Sequence, residues 1–327
     1  MGRAERKRWA NNDRVAELLK ESETRTLLPA EIEEIRQSYT GFGGLHVTFG
    51  QFFTPAVVTR FIVDLVGITG GSVLEPSCGA GAFIEALPPT CNVEGFELMH
   101  EAHSVAKLLY PSAKITKGNT LTHMQDLEGR FDYVIGNPPF CDIPKYEDYS
   151  AYTIAQKGRN RAEWYFLELS MRALKPGGIM AVILPEGILS NKKEEILRKW
   201  LMEHAWVRAS ISLPTETFKL SGTTVKTSIL VLQKMVPGVD LGNYSIFMAM
   251  CNEIGWDSRG RETGKCDLPA ILEAWAALHP NGLPTAAELL GNTAVETAAC
   301  VEKQQETPIV PPEAVADNRW GQMAFGF

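Results

Sequence analysis

The sequence predicts an α/β protein built on a doubly wound, Rossmann-like sheet with an antiparallel edge, preceded by a short helical segment. Three observations predict it. Short apolar runs alternate with helical patterns from residue 72 to about 278; a glycine loop, EPSCGAGAF (75–83), follows the first of those runs; and the last strands arrive without helices of comparable length between them. Strands alternating with helices give a mostly parallel sheet covered on both faces. Strands joined more directly pair antiparallel.

At 327 residues the chain can bury a substantial core, as one large domain or two modest ones. Its hydrophobic fraction of 45% and charged fraction of 22% are those of an ordinary soluble protein. No apolar run reaches membrane-spanning length, and the opening MGRAERKRWANND lacks the apolar stretch of a secretory signal, so the expected location is cytoplasmic. The six cysteines show no CxxC spacing and point to neither a metal site nor a disulfide framework. A net charge of −7 argues against binding nucleic acid by bulk electrostatics alone. Two basic clusters read first as solvated surface: Arg3, Arg6, Lys7 and Arg8 near the start, and Lys192, Lys193, Arg198 and Lys199 on a predicted helix.

Residues 13–38 read as two short helices, the second opening at Pro29 with Glu31, Glu33 and Glu34 near its start. TGFGGL (40–45) is a loop of unusual backbone angles or one that approaches a ligand. In QFFTPAVVTRFIVDLV (51–66), Thr54 is the expected N-cap and Pro55 the first helical residue. Val57, Val58, Phe61, Ile62, Leu65 and Val66 then recur at helical spacing. Strands are expected at 72–75, 93–97, 114–116, 131–135, 178–184, 206–212, 226–233 and 244–250, and helices at about 81–87, 101–110, 161–174, 189–204 and 268–278. Beyond 281 the chain is rich in Ala, Thr, Glu and Pro with little periodicity. The expected organisation is a helical segment over 1–45, one domain over 46–280, and a tail or linker over 281–327.

The glycine loop places Gly79 and Gly81 between a strand and a helix, where glycines let a ligand approach the backbone and a helix N-terminus faces it. Such loops serve nicotinamides, flavins, nucleotides and S-adenosylmethionine, and some are plain tight turns. Two details narrow the choice. Ile84 stands where a dinucleotide fingerprint needs its third glycine, and Glu75 ends the strand just before the loop, placed for a cationic ligand rather than a pyrophosphate. A zwitterion with an amino group and a sulfonium fits. Glu97 ends the second strand, where an acid reaches ribose hydroxyls, and Asn119, after the third, is a candidate hydrogen-bond partner for adenine.

The fourth strand stops abruptly at VIGNPPF (134–140). At average composition an NPPF tetrapeptide arises by chance in roughly one chain in a thousand of this length. The chemistry that needs it is methylation of an exocyclic amine, whose lone pair is delocalised into the ring. The Asn137 amide oxygen and the Pro138 carbonyl can accept both amine hydrogens and so favour the tetrahedral transition state. Pro138 and Pro139 fix the direction of that carbonyl. Phe140 offers a flat apolar surface for a flipped base.

On these residues the sequence resembles an adenine-specific, amino-methylating DNA methyltransferase in which QFFTP precedes EPSCGAGAF and NPPF follows. LKPGGIMAVILPEGIL, ISLPTETFKLSGTTVKTSILVLQ and IGWDSRGRETGKCDLPAILEAW further resemble the modification subunits of type I restriction systems and their solitary relatives; the likeness covers about 40–280. It implies a methyltransferase domain over 46–280 with S-adenosylmethionine as cofactor and no metal. The cofactor would be lined by Phe52, Phe53, Thr54 and Pro55, by Glu75, Pro76, Cys78, Gly79, Gly81 and Phe83 of the glycine loop, and by Glu97, Asn119 and Asn137. Phe218, in LPTETFKLSG, matches the position where the family holds an aromatic against the target base; a core phenylalanine is the alternative. The family often has Asp where this chain has Asn119.

Relatives that act alone carry a further target-recognition domain, so DNA choice here is expected from the tail, from a separate specificity subunit or from the catalytic domain itself. The implied partners are DNA and a specificity subunit, with no membrane. Rival readings keep the chemistry with RNA adenine or a protein glutamine amide as substrate, or make the chain a non-catalytic subunit of a modification complex. A nicotinamide oxidoreductase would explain Gly79 and Glu97 but not NPPF.

Overall fold

The structure is a computed structural model that describes residues 3–39, 52–144, 147–158 and 160–291, with backbone alone for 3–10. TGFGGL, the side chains of Arg3, Arg6, Lys7 and Arg8, and the tail from 292 onward lie outside the described residues.

The chain opens with α1 (Arg3–Ser22) and α2 (Pro29–Ser38), then α3 (Ala56–Val66). Strand β1 (Gly71–Glu75) leads through the glycine loop to α4 (Ala82–Ala86), followed by β2 (Cys91–Glu97), α5 (His100–Leu109), β3 (Lys114–Lys117), α6 (Met124–Leu127) and β4 (Phe131–Gly136). After a long excursion come α7 (Ala162–Ala173), β5 (Leu174–Pro185), α8 (Glu186–Ser190), α9 (Glu195–His204), β6 (Ala205–Ser212), β7 (Thr227–Lys234) and β8 (Phe247–Met250). A hairpin of β9 (Ile254–Trp256) and β10 (Glu262–Cys266) and helix α10 (Leu268–Leu278) complete the named elements.

Eight strands form one sheet in the order β3-β2-β1-β4-β5-β7-β6-β8. Neighbours from β3 to β5 are parallel, β7 runs antiparallel to both β5 and β6, and β8 runs parallel to β6. The antiparallel element expected on this side of the sheet is therefore β7, inserted one place in from β6. Period-two alternation sends Val73, Ile135, Ile179, Ala181 and Ile183 to one face, under α3 and α10, and Leu74, Val134, Met180, Val182 and Leu184 to the other, under α7 and α9. Burial on both faces explains why β5 reads as a continuous apolar run. Helices α1 and α2 add a further layer outside α5, packing Val15, Leu18, Leu27 and Ile35 against Val105 and reaching Ala80 of the glycine loop.

Several local expectations are corrected. Helix α3 begins at Ala56, with Pro55 extended at its N-cap, and Thr54 makes no capping bond. The single helix expected over 189–204 is broken at Asn191, which is extended; the buried Arg198 guanidinium takes the carbonyls of Ile188 and Asn191 at 2.9 and 2.8 Å and fixes the break. The β9–β10 hairpin was not signalled, because its glycines and charges mask any alternation. The start of the expected tail is docked: Leu289 is buried with Trp206 and Val236, and Gln233 Nε2 donates to the Pro284 carbonyl at 2.6 Å.

Candidate active site

The sheet order reverses between β1 and β4, so the loops that follow these two strands open side by side at one edge, where doubly wound sheets bind ligands. Gly79 and Gly81 both have left-handed backbone, at φ +55° and +89°. A side chain on Gly79 would meet Phe53 Cε1 at 3.4 Å, and one on Gly81 would run into the Tyr110 ring, so only glycine keeps this cradle open. The Glu97 carboxylate shapes the cradle from β2: Oε2 accepts the Gly79 N–H at 2.9 Å and Oε1 the Met99 N–H at 2.6 Å.

Two adjoining clefts run along this edge and share Ser77, Glu97 and Pro139. The first is lined by Phe52, Phe53, Thr54, Glu75, Cys78, Gly79, Phe83 and Asn137. The second is lined by Pro76, Leu98, Asn119, Cys141, Ile143 and Phe166, among others. Most of the predicted cofactor residues thus converge. Pro55 and Gly81 line neither cleft; they serve as the N-caps of α3 and α4.

Asn137 sits where the two loops meet. Its Nδ2 donates to the Phe52 carbonyl at 3.1 Å and to Thr54 Oγ1 at 3.2 Å, while its Oδ1 is closed off from solvent and has no partner among the described residues. The Phe52 carbonyl can only accept, so it fixes which side of the amide carries the hydrogens. The acceptor oxygen is left directed away from the 52–54 segment. Pro138 is buried behind it, and Phe140 is half-buried against the same core as Phe52.

Glu75 is 2% exposed, and its Oε2 is also without a partner among the described residues. Desolvation, reinforced by the charge of Glu97, holds its carboxyl well above the ordinary value of 4.5, against one opposing hydrogen bond from the Ile84 backbone. With the folded-state value raised, the native chain binds more protons than the unfolded one above pH 4.5, so this group lowers stability as pH rises. Glu75→Gln is expected to raise the unfolding temperature of the unliganded protein at pH 7 and to leave it unchanged near pH 4; calorimetry across pH measures both. A lower unfolding temperature at pH 7 would refute this.

Two predicted residues are held by contacts within the chain. Phe218 is 1% exposed inside the core, so in this structure it presents no open face to a base; the surrounding loop instead reaches the cleft through Ser221 Oγ, which donates to the Phe53 carbonyl at 2.6 Å. Asn119 lines the second cleft, but its Oδ1 caps the turn over 120–123 through the Leu121 N–H at 3.1 Å, and its Nδ2 donates to Tyr149 Oη at 3.0 Å and to Glu147. Sequence reasoning missed Ser77, whose hydroxyl meets the Asn137 carbonyl at 3.5 Å, and the apolar wall of Leu98, Ile143 and Phe166. Ser77 lay inside the glycine loop, whereas the wall carries no sequence signature.

The strand order gives the fold of a solved structure described as a putative class I S-adenosylmethionine-dependent methyltransferase from Listeria monocytogenes, which superimposes with a TM-score of 0.59 at 20% identity and covers 75% of this chain and 79% of that one. Residues 46–253 match the family described as N-6 DNA Methylase, and the chain belongs to that family. It is 27% identical over 235 residues to the defense against restriction protein B of Escherichia phage P1, a match covering 70% of this chain and 10% of that protein. To the type I restriction enzyme EcoEI methylase subunit of Escherichia coli it is 26% identical over 220 residues, 60% of this chain and 44% of that one. The chain therefore spans less than half the length of these relatives.

Among solved structures, a chain of a type I R-M system superimposes with a TM-score of 0.59 at 23% identity, covering 79% of this chain and 57% of that one. The type I restriction enzyme EcoKI M protein does so at 0.51 and 20%, covering 67% and 53%. Among the described residues no helix is long and apolar enough to cross a membrane, and no group of three or more His, Cys, Asp or Glu is placed to hold a metal.

Proposed function

We propose that this chain transfers a methyl group from S-adenosylmethionine to the exocyclic N6 amine of adenine in DNA, with the base flipped into a site built on NPPF. The observation that carries this reading is the solvent-excluded Oδ1 of Asn137 in the lining of the first cleft, without a partner among the described residues. A buried acceptor without a donor costs roughly 1–3 kcal/mol, and such a cost is retained where a ligand supplies the donor.

The clefts suit the cofactor. Glu75, buried with a free carboxylate oxygen, matches a sulfonium or ammonium cation, and Glu97 stands at the end of β2 where a ribose hydroxyl is held. When bound, S-adenosylmethionine supplies an electrophilic methyl group. Phe52 and Phe53 close one side of the first cleft and exclude water, and Asn119 borders the second through the turn that it caps.

Asn137 Oδ1 and the Pro138 carbonyl accept the two amine hydrogens and draw the nitrogen toward tetrahedral geometry, and Phe140 supports the base as a flat apolar surface. No strong base is needed, since the methylated amine is cationic and releases its proton readily. Positioning carries much of the acceleration. A net charge of −7 fits a catalytic chain that gains DNA affinity from a separate specificity subunit.

The test is incubation with methyl-labelled S-adenosylmethionine and DNA, RNA or protein, with and without such a subunit. Label is expected at N6 of DNA adenine. Label confined to RNA adenine or protein glutamine would overturn the DNA assignment. No transfer to any acceptor would favour a non-catalytic subunit.

A further inference from the structure

The α1–α2 pair lies outside the methyltransferase sheet, yet the residue that caps α2 packs against the wall of the site. Tyr39 caps α2, its N–H bonded to the Ile35 carbonyl at 3.0 Å, and its ring meets Phe53 edge-on at 5.6 Å and 83°. Phe53 lines the first cleft and bounds the space above Gly79. The Tyr39 hydroxyl is shut off from solvent and has no hydrogen-bond partner among the described residues. It lies within electrostatic reach of Glu97 and Glu101, and burial together with these two charges keeps the phenol protonated, so at neutral pH it is a donor. Both oxygens of Glu97 already accept backbone N–H groups.

A donor without an acceptor among the described residues therefore lies behind the Phe53 wall of the cleft, within electrostatic reach of the carboxylate that the cofactor reading places at the ribose. A sugar hydroxyl that donates to Glu97 still has lone pairs with which to accept from a phenol. A tyrosine kept for ring packing alone would be better as phenylalanine, since a buried hydroxyl left unpaired is destabilising.

We propose that Tyr39 is a cofactor-contact residue, whose hydroxyl donates a hydrogen bond to a ribose oxygen of the nucleoside bound beside Glu97. This rests on the cofactor assignment above. It makes the N-terminal helical pair part of the binding site rather than an appendage.

The experiment compares Tyr39→Phe with the parent in two measurements: affinity for S-adenosylhomocysteine and for 5′-methylthioadenosine by calorimetry, and the unfolding temperature without ligand. For both ligands the affinity is expected to fall about threefold to tenfold, the loss of one hydrogen bond, while the unliganded unfolding temperature stays equal or rises. Unchanged affinity, or a lowered unliganded unfolding temperature, would overturn the contact. A loss confined to S-adenosylhomocysteine would move the hydroxyl to the amino-acid end and overturn the ribose assignment. Failure of the parent itself to bind either ligand would refute the cofactor reading instead.

Discussion

Asn137→Ala is expected to lower the rate of methyl transfer by about 10²–10³-fold, the range found when one preorganised hydrogen-bonding group is removed from an active site. The loss has two sources. Oδ1 no longer accepts an amine hydrogen, and the Phe52 carbonyl and Thr54 hydroxyl lose their shared donor, so the cleft wall is less firmly docked. Because the first effect operates mainly in the transition state, kcat is expected to fall more than KM for DNA rises. Single-turnover kinetics with labelled cofactor separates the two. Activity retained within threefold of the parent would exclude Asn137 from catalysis.

Glu168→Ala should be the most destabilising single substitution considered for this chain, costing about 3–5 kcal/mol, as breaking a buried charged network does. Glu168 is fully buried on α7. It accepts from Thr153 N–H at 2.7 Å, Thr153 Oγ1 at 2.9 Å, Ile154 N–H at 3.0 Å and Ala155 N–H at 2.8 Å. Removing the carboxylate leaves four donors of the 153–155 segment unsatisfied. That segment adjoins Tyr149, which bonds Asn119, and Tyr152, whose hydroxyl donates to the Leu121 carbonyl at 2.9 Å, so the second cleft should loosen as well. Urea unfolding of the two proteins measures the difference, and a value within 1 kcal/mol of zero, on the order of a single neutral hydrogen bond, would refute the clamp.

Motifs that impose backbone geometry were legible in the sequence: the glycines of EPSCGAGAF, the stop at NPPF, and the two-residue period of the central strands. Their convergence at one sheet edge follows from strand order, which alternation alone anticipates for a doubly wound sheet. The antiparallel pairing on this side was legible too, from strands joined without long helices, but the place of β7 between β5 and β6 was not, since a strand buried on both faces shows the same continuous apolar run wherever it lies in the sheet. Phe218 could not be assigned to base or core by type, because both uses demand a buried aromatic; its 1% exposure places it in the core here. Asn119 was read by position, but its partners Glu147 and Tyr149 are distant in sequence and left no trace. The Glu168 clamp is equally invisible, a carboxylate in helical surroundings whose donors belong to an irregular loop.

The Asn137 amide joins the NPPF loop to the Phe52 carbonyl, 85 residues earlier in the chain. A primary amide presents its acceptor in one direction only when its donors are held in the other. Should the 52–54 segment swing out, both orientations of the amide become comparable in energy, and the acceptor is aimed correctly only part of the time. On the proposed function the joint would work as a logical conjunction: Asn137 is aimed at an amine only while the 52–54 segment is seated against it.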